Sequence, residues 1–144
     1  MSTQITLANY WMGRDKTHPM DLSTLVYRNA EVLVSLINKL LPLAEADGVK
    51  FEIHPRTKSI ISGGWRPPAI NSSTKGAAVN SKHITGQAVD VYDPDGDFDE
   101  WLISERGIKA LEQIGLWIEH PASTKGWTHL QSVPPGSKRR VFYP

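Results

Sequence analysis

The sequence predicts an α+β fold: a small antiparallel sheet with helices on one face and an amphipathic helix near the N-terminus. A helical periodicity begins at Asp21 and continues to about residue 40. Short strand candidates follow residue 50, and a second helical stretch at 98–114 divides them into two groups. Helices and strands that do not alternate regularly are typical of α+β domains.

The first helix is predicted from apolar residues spaced three and four apart, which form one stripe. Asp21 is its expected N-cap, Pro42 is expected to kink or end it, and Gly48 is expected to stop any continuation. Residues 1–19 read as a short lead-in that packs on the main body. The stripe consists of Leu22, Leu25, Val26, Ala30, Leu33, Leu36, Ile37 and Leu40.

The rest of the chain contains short strands and one more helical stretch. The helical pattern at 98–114 is expected to be interrupted near Gly107 and to stop at Gly115. Residues 66–76 are expected to form a loop, and 93–99 an acidic turn. The strand candidates are 51–53, 59–65, 88–92, 116–118 and 127–133.

Composition limits the classes of protein to consider. The 144 residues are 40% hydrophobic and 22% charged, which fits a single domain spanning 1–144. Sixteen basic residues balance fifteen acidic ones, so no nucleic-acid partner is expected. No run approaches the roughly 18 apolar residues that span a bilayer. Residues 1–16 lack a signal-peptide pattern, so synthesis in the cytoplasm without a secretion signal is expected.

A group of histidine and aspartate residues suggests a metal site. The sequence has no cysteine, so a metal here must use His, Asp or Glu. Asp90 lies inside an apolar strand, where an isolated carboxylate is costly, and a bound dication would offset that cost. His83 precedes it by seven positions, and His129 lies on a later strand candidate. Each residue alone also fits a structural role, as a packed imidazole or a carboxylate bonded to a backbone amide.

The surrounding motifs resemble a known family of hydrolases. Ser81, His83, Gly86 and Asp90 match Ser-x-His-(six residues)-Asp with a Gly three after the His, and His129 follows Trp127 by two positions. Residues 62–68, Ser-Gly-Gly-Trp-Arg-Pro-Pro, are similar to a Ser-Gly-Tyr-Arg segment. Together they resemble the zinc D-Ala-D-Ala carboxypeptidases. That group includes phage L-alanyl-D-glutamate endopeptidases and shares its fold with Hedgehog signalling domains. The resemblance covers residues 59–131.

The resemblance implies a role for each of these residues. Zinc would be held by His83, Asp90 and His129, in a core of residues 51–144 preceded by a helical segment of residues 1–50. Arg66 would bind the carboxylate or carbonyl of the substrate, in catalysis as well as binding. Ser81 would support the site through a hydrogen bond, either to the substrate or to the ligand loop. The two aromatic residues suspected of contacting substrate are Trp65 and Trp127.

The general base is where the sequence departs from the family pattern. Many members carry Asp or Glu three residues before the last His, but Gly126 occupies that position here. Glu119 is the nearest acid and could face the metal if its strand pairs beside 127–133. His120 is the other candidate, as a base or as a transition-state stabiliser. A third alternative is that neither acts and the site is degenerate.

The implied function is a zinc peptidase that cleaves stem peptides of bacterial peptidoglycan. The expected context is a phage lysis enzyme or a virion-associated lysin, which reaches the cell wall by release or within the particle. An alternative is a non-catalytic module that binds peptidoglycan or a protein. A further alternative is a phage structural protein whose N-terminal helix docks on other phage particle components.

Overall fold

The computed structural model describes residues 3–144, and this part of the chain confirms the predicted α+β class. Helices and strands are mixed, with the longest helix preceding all of the strands. Two short 3₁₀ turns, Pro19–Asp21 and Pro121–Ser123, complete the regular structure. The α-helices are α1 Leu7–Trp11, α2 Arg14–Thr17, α3 Thr24–Ala46, α4 Pro68–Ser73, α5 Asp97–Leu102 and α6 Glu105–Ile114.

Five strands form one sheet in the order β1-β2-β4-β3-β5. The first four pair antiparallel, as predicted, whereas β5 pairs parallel to β3 at the edge. The sequence did not predict β5, because a strand of two residues behind a basic tail has no periodicity to detect. The strands are β1 Ile61–Gly63, β2 Ala88–Asp93, β3 Trp117–Glu119, β4 Gly126–Gln131 and β5 Val141–Phe142.

The two faces of the sheet have different chemistry because successive side chains point to opposite sides. On one face, Val89, Val91 and Leu130 are fully buried in the core with α3 and α6. On the other face, Asp90 and His129 are only partly buried. Helices α3 and α6 therefore cover the apolar face, and the polar face is left for a site.

Helix α3 begins later than predicted and ends close to one of its two predicted stops. The helix begins at Thr24, because Ser23 accepts a hydrogen bond from the amide of Val26 and is the N-cap. The prediction of Asp21 as N-cap was wrong, since Asp21 lies in the preceding 3₁₀ turn. The helix continues through Pro42 and ends at Ala46, just before Gly48, where the sequence predicted that any continuation would stop. Burial of its apolar stripe on both sides of Pro42 compensates for the one backbone bond that proline cannot make.

Other elements also differ from the prediction. Residues 51–53 are not a strand, and residues 68–73 form α4 where a loop was predicted. The break in the second helical stretch lies at Ile103–Ser104 rather than at Gly107. Gly107 lies within α6, where a Cβ atom would overlap the backbone of Trp101 and Leu102. Its glycine thus permits close packing of α5 against α6.

The N-terminal helices belong to the same hydrophobic core as the sheet. Tyr10 and Trp11 of α1 are buried, and the Trp11 ring meets the Trp65 ring edge-on at 5.6 Å between centroids. The buried cluster continues into α3 and the strands. Among the described residues, none of the helices combines the length and hydropathy that crossing a membrane requires.

Candidate metal centre

Three predicted ligands, His83, Asp90 and His129, converge on the polar face of the sheet. Asp90 lies in the middle of β2 and is paired directly with His129 on β4. His83 comes from the loop before β2 and is 2% exposed. One potential ligand atom from each residue lies within 4.8 Å of the other two. The group could therefore hold a metal ion.

The carboxylate of Asp90 is the centre of this group. Its Oδ1 lies 2.9 Å from His129 Nδ1 and 3.3 Å from His83 Nε2. Burial alone would raise the pKa of Asp90, but the two imidazoles hold it well below its usual range. Burial alone would lower the pKa of His129, but the hydrogen bond to Asp90 and its charge raise it. The carboxylate is thus kept ionised, as a metal ligand must be.

The donor set fits a divalent metal. Two imidazoles and one carboxylate are ligands that zinc accepts, and three protein ligands are the number found in catalytic zinc sites. In a group without an ion, a hydrogen on His129 Nδ1 faces the carboxylate of Asp90, and a cation would replace that hydrogen. In each histidine, the ring nitrogen that points away from Asp90 makes a hydrogen bond of its own, as is usual for metal-ligating histidines. The partner is the carbonyl of Gly64 for His83 and the side chain of Gln131 for His129.

His83 is oriented by the backbone carbonyl of Gly64. The Nδ1 of His83 lies 2.8 Å from this oxygen, which can only accept a hydrogen bond, so Nδ1 donates and Nε2 faces Asp90. The backbone amide of Trp65 in turn donates to the carbonyl of Tyr10 at 2.9 Å. A Cβ atom on Gly64 would overlap that same Tyr10 carbonyl. Glycine at this position thus lets the segment sit directly on α1.

A cavity of about 640 Å³ opens onto the three candidate ligands. Arg66, Ser81, Glu119 and Trp127 all line it, so four of the other predicted site residues are brought together with the metal group. Lys75 and Lys82 also line this cavity. Besides the candidate ligand Asp90, the described lining therefore combines three cationic side chains, Arg66, Lys75 and Lys82, with one glutamate, Glu119.

Arg66 and Ser81 are linked to each other and to the ligand loop. The Arg66 guanidinium donates to Ser81 Oγ at 3.4 Å, and Ser81 Oγ also accepts from the backbone amide of His83 at 3.2 Å. The backbone amide of Arg66 donates to the carbonyl of His83 at 3.0 Å. Ser81 thus supports the loop that carries His83, in agreement with one of its expected roles.

Glu119 lies at the end of β3, on the same side of the sheet as His129. The β3–β4 register pairs Trp117 with Gln131 and Ile118 with Leu130, so the next position places Glu119 beside His129. Burial raises the pKa of Glu119; the charge of His129 opposes this shift and that of Asp90 adds to it. A carboxyl group with a raised pKa next to the metal group is suited to proton transfer.

The structure places three other predicted positions away from the cavity. His120 accepts a hydrogen bond from the amide of Ala122 through Nδ1, and its ring stacks on Tyr143 at 4.5 Å between centroids. Trp65 is fully buried, donates through Nε1 to the carbonyl of Ile84, and has no surface to offer a substrate. Gly126 lines a different cavity, so the position of the family's usual acid does not face these ligands.

Sequence reasoning missed three residues that contact the metal group or its supports. Gln131 is hydrogen-bonded to His129, and the Phe142 ring meets the His129 ring edge-on at 6.2 Å. Tyr10 donates its hydroxyl to the carbonyl of Ala88, two residues before Asp90. Of these three, only Gln131 could have been found from the sequence, because it lies two residues after His129 on the same strand and therefore on the same face of the sheet.

Comparisons with known proteins assign no family. No family model, no curated protein and no solved structure matches this chain.

Proposed function

We propose that this chain is a zinc-dependent peptidase that cleaves stem peptides of bacterial peptidoglycan. The observation that carries the proposal is the convergence of His83, Asp90 and His129 in a cavity that also contains Glu119 and Arg66. The choice of zinc follows from the ligand types, and the choice of peptidoglycan follows from the motif resemblance.

Each chemical role is assigned to a residue that lines the cavity. His83, Asp90 and His129 would hold the metal. When bound, zinc supplies Lewis acidity, which acidifies water and polarises the carbonyl of a scissile bond. Glu119 accepts a proton from the attacking water and passes it to the leaving nitrogen as the C–N bond breaks. The products are one carboxylic acid and one amine.

Arg66 has the chemistry to bind the developing oxyanion or a substrate carboxylate. Its guanidinium is planar and can donate two parallel hydrogen bonds to a carboxylate. The half-buried position next to Ser81 limits its motion, which reduces the cost of ordering it when substrate binds. Lys75 and Lys82 in the lining of the same cavity favour an anionic substrate, and stem peptides carry carboxylates.

The test is digestion of purified peptidoglycan, followed by mass spectrometry of the released fragments. Wild type with zinc is expected to release a new fragment whose mass names the bond. A chelator should abolish this fragment, and added zinc should restore it. Glu119→Gln should retain zinc but lose cleavage, whereas Glu112→Gln, an exposed change on α6, should behave as wild type.

One result would replace the proposal. If wild type binds zinc but releases no fragment from several wall types, a non-catalytic module becomes the better account. The lack of an acidic side chain at Gly126, where many members of the resembling family carry one, would then explain the lack of activity.

A further inference from the structure

We infer that Gln131 is a positioning residue that holds His129 with its Nδ1 toward the metal group. The inference depends on the proposed metal site but not on peptidase activity. Gln131 ends β4, two residues beyond His129 and on the same face of the sheet. It is 4% exposed, so its amide must find its hydrogen-bond partners within the protein.

The amide of Gln131 has only one orientation that satisfies its neighbours. One end of the amide lies 2.9 Å from the carbonyl oxygen of Val133, and the other end lies 3.0 Å from His129 Nε2. A carbonyl can only accept, so the end facing Val133 must be the NH₂ group. The end facing His129 is therefore the amide oxygen, which is also only an acceptor.

This orientation determines which nitrogen of His129 can bind a metal. Because the amide oxygen only accepts, His129 Nε2 must carry a hydrogen and donate it. In the metal-free group His129 Nδ1 also carries a hydrogen, which it donates to Asp90 Oδ1 at 2.9 Å. Because Gln131 keeps the hydrogen on Nε2, Nδ1 is the nitrogen that a metal can bind when it replaces that hydrogen. A metal at this group thus meets a ligand whose tautomer and ring angle are already set.

The two histidines are fixed by different kinds of acceptor. His83 donates through Nδ1 to the backbone carbonyl of Gly64 and presents Nε2 to Asp90. His129 uses the opposite pair of nitrogens, and its acceptor is a side chain. Gln131 is therefore the acceptor that a substitution can remove, which makes the arrangement testable.

The first test measures zinc affinity by competition with a chromophoric chelator. Gln131→Leu removes the acceptor and is expected to weaken zinc binding about 10–100-fold. Gln131→Glu keeps an oxygen acceptor for Nε2 but loses the donor to the Val133 carbonyl, so it is expected to weaken zinc binding less than Gln131→Leu. Gln113→Leu, an exposed change on α6, is the matched control. Thermal melts of the metal-free variants show whether each one is folded.

Two affinity results would overturn the inference. One is a folded Gln131→Leu variant that binds zinc as tightly as wild type. The other is an equal loss in Gln131→Leu and Gln131→Glu, because general damage to packing would then explain both.

The second test does not require a metal. In metal-free wild type, proton-detected ¹⁵N spectra of the imidazoles should show a hydrogen on His129 Nε2, with a signal that moves in Gln131→Leu. An unprotonated Nε2 with the hydrogen on Nδ1 alone would overturn the inference even if zinc binds. If zinc does not bind but Nε2 carries the hydrogen, the metal proposal fails and the role of Gln131 in orienting His129 stands.

Discussion

Asp90 and His129 are directly paired residues on adjacent antiparallel strands, and their side chains meet with Oδ1 2.9 Å from Nδ1. The sheet register alone thus brings two candidate ligands together. The third, His83, comes from a loop whose position depends on Gly64 and, through the Trp65 amide, on Tyr10. Strand pairing therefore places two of the candidate ligands, and a loop that packs on α1 places the third.

Tyr10 is expected to stabilise both the strand that carries Asp90 and the segment that contains Gly64. Its hydroxyl donates to the carbonyl of Ala88 at 2.8 Å, and its own carbonyl accepts from the amide of Trp65. Tyr10→Phe removes only the first bond and should lower the free energy of unfolding by about 1 kcal/mol. Denaturant titration measures this, with the half-exposed Tyr27→Phe as control. Equal stability of the two variants would contradict the assigned role.

Asp99 should make the stability of the protein depend on pH. Burial raises the pKa of Asp99 to about 7; the hydroxyls of Thr128 and Thr124 lower it, and Asp93 and Glu119 raise it further. Between about pH 4 and pH 7 the folded state keeps a proton that the unfolded state has released, so the free energy of unfolding falls as pH rises.

Replacing this carboxyl group should remove the dependence. Asp99→Asn cannot ionise, so above pH 7 it should be more stable than wild type by about 1 kcal/mol or more, and the difference should shrink toward pH 4. Thermal melts at several pH values measure this, with the exposed Asp95→Asn as control. A constant difference across the pH range would show that Asp99 does not titrate there.

Glu119 should control the acid limb of the proposed peptidase activity. The pKa of Glu119 is raised above its ordinary value, so kcat/KM should fall with decreasing pH at a higher pH than for a free glutamate. Glu119→Gln should reduce the rate about 10²–10⁴-fold and abolish that limb. Steady-state rates on a synthetic stem peptide measure both. A wild-type rate in the zinc-loaded variant would exclude Glu119 as the base.

His120 is expected to contribute to the stability of the folded protein rather than to proton transfer. Its Nδ1 caps the 3₁₀ turn at residues 121–123, and its ring stacks on Tyr143. His120→Ala should therefore lower the melting temperature and leave kcat unchanged. A large fall in kcat without a change in the melting temperature would reverse this assignment.

The sequence was most informative at the one carboxylate that lies in the middle of an apolar strand, where burial could be expected. Asp90 in an apolar strand pointed to a partner, and both histidines are found beside it. Strand alternation could also have distinguished the two candidate bases. Glu119 and His120 are neighbours in sequence, so in a continuous strand only one of them would point toward the metal face. The structure places Glu119 there.

Other features could not be predicted because they depend on tertiary contacts. Trp65 lies within the predicted site segment 62–68, yet α1 packs on it and it is completely buried. Nothing in residues 1–19 indicated that Tyr10 would contact both Trp65 and Ala88. Helix α3 continues through Pro42 because its buried stripe outweighs the local signal to stop.

Zinc titration of metal-stripped protein by calorimetry tests the central claim most directly. Wild type and the exposed control Asp95→Asn should bind one zinc ion per chain. Asp90→Asn should show no binding at the concentrations that saturate wild type, because the amide removes the charge shared by both histidines. If Asp90→Asn binds zinc with wild-type stoichiometry and affinity, His83, Asp90 and His129 are not the metal site.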